Sequence, residues 1–238
     1  MKVQWGTYTS ALFSALAKTL EYTVLGFVGA VLLGLALALM RRSHTRVVRL
    51  PAAIYTELFK NIPLLAIVFI VYFGLPSVGL RFDALVAGSL SLVVFYAAYL
   101  SEIFRAALRG VHAGQQEGAQ ALGMSRGRTF GQVIMPQALR LALPGTATMG
   151  VDLLKSTSLL VTIAAGELMS QGSQISSETF RPMEVYLVIA AIYFAVCYPI
   201  SQLLLLLERK VHAGTPLTPA RRRQLAKAKR LLEAGAAT

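Results

Sequence analysis

Long apolar runs separated by short polar stretches dominate the chain, and most of the runs are of helix length. Five of them read as candidate membrane spans: about Thr19 to Met40, Ala52 to Phe73, Ala84 to Phe104, Leu143 to Ala165 and Met183 to Leu207. A helix needs roughly 20 residues to cross the hydrocarbon core, and the fourth run is the least apolar. The pattern predicts an all-α membrane protein with five transmembrane helices. Within the first run, Gly26, Ala30, Gly34 and Ala38 recur every four residues. Such a stripe lets another helix backbone approach closely. Its partner is expected within the chain or on a second subunit, and five helices make a thin wall around any pathway.

Composition agrees with this reading. Of 238 residues, 55% are hydrophobic and only 14% charged, where a soluble domain carries about 25% charged residues. The single cysteine, Cys197, lies inside an apolar run and excludes an intrachain disulfide. The N-terminal "MKVQWGTYTS" does not read as a cleavable signal.

Net charge is +12, and its placement is a topology signal rather than a nucleic-acid footprint. The loop "RRSHTRVVR" holds four arginines. The next, "GLPSVGLRFD", balances Arg81 against Asp83. The third is basic through Arg105, Arg109, Arg126, Arg128 and Arg140, and the fourth, "GELMSQGSQISSETFRP", carries two acids against Arg181. Lysine and arginine are retained on the cytoplasmic side. Five spans with the N-terminus outside and the C-terminus inside therefore place every basic segment in the cytoplasm. The tail beyond residue 210 is basic and helix-prone. It reads equally as a helix on anionic headgroups and as a solvated extension.

Between the third and fourth runs lies "EGAQALGMSRGRTFGQVIMP", residues 117–136. Gly114 to Leu122 predicts a short helix that ends where Gly123 takes the left-handed conformation. Ser125 is placed to cap a second helix, and Pro136 is placed to stop it. Two short helices at an angle would form a knob able to pass force to a cytoplasmic partner.

Here the residues carry a resemblance. Glu117, Ala119, Gly123, Val133, Met135 and Pro136 match the pattern E-A-A, three residues, G, nine residues, I-x-L-P of binding-protein-dependent ABC importer permeases. The departures are Gly118 for alanine, Val133 for isoleucine and Met135 for leucine. "FKNIPLL" (59–65), "YLSEIFRAALRGV" (99–111) and "LLKSTSLL" (153–160) resemble segments of the polar amino acid group, whose members carry histidine, glutamine, glutamate, arginine or opines. The resemblance covers about residues 15–210. It implies a transmembrane permease domain over 1–210 in the cytoplasmic (inner) membrane, with a coupling loop at about 112–137, followed by a basic tail over 211–238. It also implies two permease subunits, the second a copy or a paralogue, and a cytoplasmic ATPase. An external binding protein would deliver a polar amino acid. In that scheme Glu117, Ala119, Gly123 and Pro136 belong to ATPase coupling. No G-x-x-x-x-G-K-[ST] phosphate loop occurs in the sequence, so ATP and Mg²⁺ are expected on the separate ATPase and this chain is not expected to be an enzyme.

Ionisable groups at membrane depth usually face a bundle interior or a wet cavity. Glu102 and Arg105, and likewise Asp152 and Lys155, are three apart and so share a helix face, where they can pair with each other. The alternative is contact with the ammonium and carboxylate of a zwitterion, for which Arg105, Glu167 and then Lys155 are the leading candidates. Lys60 and Asn61 precede Pro63 and fall where the second helix is expected to break. His44, His112 and His212 are far apart and propose no metal site. A permease for another small solute, such as methionine or glycine betaine, is the nearest alternative. An ion-coupled secondary transporter would account for the membrane charges but leave the knob without a task.

Overall fold

The first candidate span forms the longest helix, α1 (Trp5–Arg42), in a computed structural model that describes residues 3–213, with side-chain surroundings through 206. It begins well before the expected Thr19. The segment 5–18 is less apolar than the span itself, but it contains no proline, and Thr9 returns its hydroxyl to the Trp5 carbonyl. Such back-bonding satisfies the hydroxyl within the helix.

After a three-residue link the chain forms α2 (Arg46–Lys60) and α3 (Leu64–Phe69), with a π turn at Ile70–Gly74 and a 3-10 turn at Leu75–Val78. The axis bends by 106° between the two halves. The break falls at Asn61-Ile62-Pro63, as the sequence leads one to expect. Proline removes an N–H and disfavours helical backbone in the residue before it. Tyr99 donates to the Lys60 carbonyl (3.0 Å) and the Asn61 amide donates to the Glu57 carbonyl (2.6 Å), satisfying carbonyls that the break frees.

Helix α4 (Ala84–Gly110) starts on Asp83, which accepts from the Val86 N–H at 2.8 Å. The small-residue stripe of α1 lies on it. A Cβ on Gly26 would stand 3.1 Å from the Leu92 Cβ. One on Gly34 would stand 2.8 Å from the Leu100 Cβ and 3.1 Å from the Ala97 carbonyl. Ala30, between these points, and Ala38, one turn beyond, are fully buried. The stripe is thus satisfied inside the chain. Around it, Tyr22, Leu92, Tyr96, Leu100, Leu153 and Leu160 form the main core.

The connection that follows differs from expectation. A short helix, α5 (Ala113–Ala121), ends at Gly123 with φ 79°, as anticipated. The next helix does not stop at Pro136. α6 (Arg126–Arg128) continues through a π segment (Thr129–Ile134) into α7 (Met135–Ser156). Pro136 sits in the first turn of α7, where the wider π turn has already shifted the hydrogen-bond ladder and a missing N–H costs least. The knob therefore has one free short helix, and its second helix is the start of the next span.

α7 tightens into a 3-10 turn (Thr157–Ile163), and α8 (Leu168–Thr179) leaves it at a 48° bend. The stretch expected as an open loop at 166–180 is thus mostly helical. Leu168 and Ile175 are buried with Val185 and Ile189 of α9 (Pro182–Ala213), against Trp5, Tyr8, Leu12 and Leu16 of α1. Among the described residues, three helices are long and apolar enough to cross a membrane: Trp5–Arg42, Ala84–Gly110 and Pro182–Leu206. The count is five if each bent pair forms one span. The unit Met1–Leu204 holds these contacts, and the expected basic tail lies almost wholly outside the described residues.

Gly34→Ala places a methyl against α4 backbone. It should lower the unfolding free energy of the purified protein by about 1–3 kcal/mol. Gly6→Ala, where nothing lies within 4 Å of the added carbon, should leave it unchanged or raise it. Denaturant titration in detergent measures both.

Candidate functional site

α4 carries three polar side chains at intervals of three, Tyr96, Tyr99 and Glu102, and each reaches a different helix. Tyr96 donates to Asp152 Oδ2 on α7 at 2.8 Å and lies 2.8 Å from the Ser156 hydroxyl. Tyr99 reaches the end of α2. Glu102 accepts from Arg41 at the end of α1 and from Arg105 Nε (2.9 Å) and Nη2 on its own helix. One carboxylate thus holds two guanidiniums and leaves a net positive charge at this node. Side-chain exposure there is only 12% for Arg41 and 26–28% for the other two, so the pairing is screened less than a surface one.

The Glu102–Arg105 pair was legible from spacing, while Arg41 was not, because it comes from a distant helix. The Asp152–Lys155 pair does not form. Asp152 turns to the buried Tyr96 instead, and Lys155 has no ion-pair partner among the described residues. Lys155 lines a cavity of about 310 Å³ with Ser158, Met169, Tyr186 and Tyr193. Lys60 pairs with Glu57 at 2.9 Å. Neither it nor Asn61 hydrogen-bonds to Arg105, Asp152 or Lys155.

Glu167 departs furthest from expectation. It is fully buried and caps α8, accepting from the Met169 and Ser170 N–H groups (both 2.7 Å), the Ser170 hydroxyl (2.9 Å) and the Tyr193 hydroxyl (3.0 Å). The adjoining turn is pinned to α1. The Leu168 N–H donates to the Thr19 hydroxyl at 3.0 Å, and Tyr22 donates to the Ala165 carbonyl at 3.2 Å. A carboxylate so enclosed holds a helix start in place.

At the other candidate region, α5 packs on the π segment and buries Ala119. Glu117 is exposed. The Gly123 N–H donates to Gln120 and the Met124 N–H to Ala119, closing the helix end. Gln137 donates to Gln115 at 3.1 Å, tying α5 to the start of α7. Ser125 stands at the N-cap position but makes no side-chain cap bond. Among the described residues no cluster of His, Cys, Asp or Glu could hold a metal.

The sequence model of the family described as "Binding-protein-dependent transport system inner membrane component" matches residues 30–213. The chain is 36% identical over 203 residues to the probable amino-acid ABC transporter permease protein YckA of Bacillus subtilis (strain 168), covering 83% of this chain and 89% of YckA. It is 37% identical over 215 residues to the octopine transport system permease protein OccM of Rhizobium meliloti, covering 86% of each. Among solved structures, one described as an amino acid ABC transporter with histidines superposes with a TM-score of 0.82 at 36% identity, over 88% of this chain and 100% of that one.

As a buried cap, Glu167 should act on stability first. Glu167→Ala leaves two N–H groups and a tyrosine hydroxyl without their acceptor and should cost about 1–3 kcal/mol. Tyr193→Phe, which removes one donor, should cost about 1 kcal/mol. Thermal unfolding of the purified protein tests this, and a Glu167→Ala protein of unchanged stability would contradict the cap.

Proposed function

This chain belongs to the binding-protein-dependent ABC transporter permeases, in the group that includes amino-acid and opine permeases, and we propose that it passes a polar amino acid across the inner membrane. It is a multi-pass membrane component, and its family implies a partner ATPase, a permease partner and a binding protein. The similarity to amino-acid permeases along most of the chain supports the substrate class. Five spans are proposed, with the N-terminus outside and the C-terminus inside. The permease domain takes in 1–210 and the tail 211–238. A second permease subunit completes the pathway.

The observation that carries the coupling proposal is α5. It is short, its outward residue Glu117 is exposed, and it is joined to α7 through the π segment and the Gln115–Gln137 bond. Glu117 meets the ATPase, Ala119 seats α5 on the π segment, and Gly123 sets the turn. Pro136 marks the point where the segment of 112–137 becomes the span. ATP and Mg²⁺ bind on the ATPase, and force enters this chain through α5. ATP must favour one state of the transporter over the other for that force to shift it.

For the substrate, Arg105 and Lys155 supply positive charge toward a carboxylate, and Asp152 and Glu102 supply negative charge toward an ammonium. Lys155 has the fewest competing contacts of the four. Lys60 and Asn61 frame the break between α2 and α3, where backbone groups can line a pathway, and Glu167 positions α8 from behind. An ion-coupled transporter would need neither α5 nor the family match.

Gly123 tests the coupling role, because space is open around it and only its φ constrains it. Gly123→Val, strained in the left-handed region, should abolish stimulation of ATP hydrolysis by loaded binding protein in the reconstituted transporter. Gly123→Asn, which tolerates that region, should retain most of it. Equal stimulation in the valine variant would contradict the role given to this turn.

A further inference from the structure

A polar cavity of about 240 Å³ opens where the end of α1, the inner face of α5 and the start of the α6–α7 run meet. At about 30 Å³ per water, it has room for a small polyatomic ion with several waters. α1 contributes Arg42, and His44 follows in the link. α5 contributes Gln116 and Gln120, one turn apart, and the helix beyond Gly123 contributes Arg126 and Thr129. Glu117 is not among its walls, so the cavity and the exposed acid belong to different faces of α5. No carboxylate lines it.

Its cations are uncommitted. Arg41 is held by Glu102, but Arg42 and Arg126 make no ion pair among the described residues. The guanidinium of Arg42 lies 5.0 Å from the centroid of the Phe130 ring, a second residue of the cavity wall, in cation–π contact that restrains it there.

Thr129 supplies the independent observation. It is 2% exposed, lines the cavity, and its hydroxyl has no hydrogen-bond partner among the described residues. Several helical threonines here, Thr19, Thr23, Thr56 and Thr179 among them, return their hydroxyls to the carbonyl four residues back. Thr129 does not, and the Thr146 hydroxyl also lacks a partner. Buried polar groups are normally satisfied.

Two arginines, two glutamines, a histidine and a threonine thus line one cavity, with no acid to oppose them. A planar carboxylate is served by a single guanidinium fork, whereas a phosphate presents more oxygens, in a tetrahedral array, to donors from several directions. We propose that this cavity binds a phosphate group. Two sources share that chemistry: a free phosphate anion and the headgroup of an anionic phospholipid. The assignment is independent of which solute the transporter carries.

The test uses the full chain purified in detergent. One arm measures binding of radiolabelled inorganic phosphate at constant ionic strength. The other measures phosphatidylglycerol retained per chain by native mass spectrometry, with phosphatidylcholine as the comparison lipid. Saturable binding of either anionic probe is expected, weakened roughly tenfold by Arg42→Gln or Arg126→Gln and several-fold by Thr129→Val. Arg128→Gln, a neighbouring exposed arginine outside the cavity, should bind as the parent does. Phosphate binding identifies the free anion as a ligand, and retention of phosphatidylglycerol alone identifies the lipid headgroup. No saturable binding of either probe would overturn the proposal. So would binding indifferent to the cavity variants, or weakened equally by Arg128→Gln.

Discussion

The close approach of α1 to α4 is the constraint on which the other contacts depend. At Gly34 the α1 backbone lies so near α4 that a methyl group would meet the Leu100 side chain and the Ala97 carbonyl. Helices in lipid gain nothing from hiding apolar surface from water and associate instead through packing of this kind. With the two helices so fixed, Arg41 at the end of α1 comes within reach of Glu102. Thr19 and Tyr22, earlier on the same helix, hold the turn that leads into α8. Had the stripe carried larger residues, each of these bonds would span a longer gap.

α4 then distributes the polar contacts. Tyr96, Tyr99 and Glu102 follow its turn and connect it to α7, to the break after α2 and to α1. The bent second span and the bent fourth span are both fastened to this helix, and α5 is joined to α7. In the proposed coupling, force applied at α5 passes through the Gln115–Gln137 bond into the helical run that leads to Asp152 and Lys155. It passes through a π segment, a form often found at functional sites.

Much of this was legible in the sequence, for local reasons. The small-residue stripe, the break before Pro63 and the left-handed Gly123 each follow from residue geometry that neighbours do not override. Spacing also anticipated the Glu102–Arg105 pair. Pro136 misled because a proline stops a helix only where its N–H would have been used, and the π segment removes that demand. Asp152 and Lys155 share a face by spacing, yet a tyrosine from another helix captures the acid. Glu167 lacks a basic neighbour in sequence, so charge spacing pointed to no structural role for it. Its true partners are two N–H groups and a hydroxyl, which charge patterns do not reveal. The regular Tyr96-x-x-Tyr99-x-x-Glu102 spacing inside an apolar run was available and marks the helix that ties together α1, the break after α2 and α7.

In the proposed coupling, α1 and α4 move as one body while α5 carries motion from the ATPase. Interfaces packed to backbone contact are not continuously deformable. Spin labels at Leu32 on α1 and Val86 on α4, both exposed, report the first part. A label at Leu122, at the exposed end of α5, paired with the equivalent position of the second permease subunit, reports the other. Pulsed electron paramagnetic resonance of the reconstituted transporter, with and without ATP, should show an unchanged Leu32–Val86 distance and a changed distance between the two α5 helices. A Leu32–Val86 distance that shifts with ATP while the α5 pair stays fixed would contradict the account.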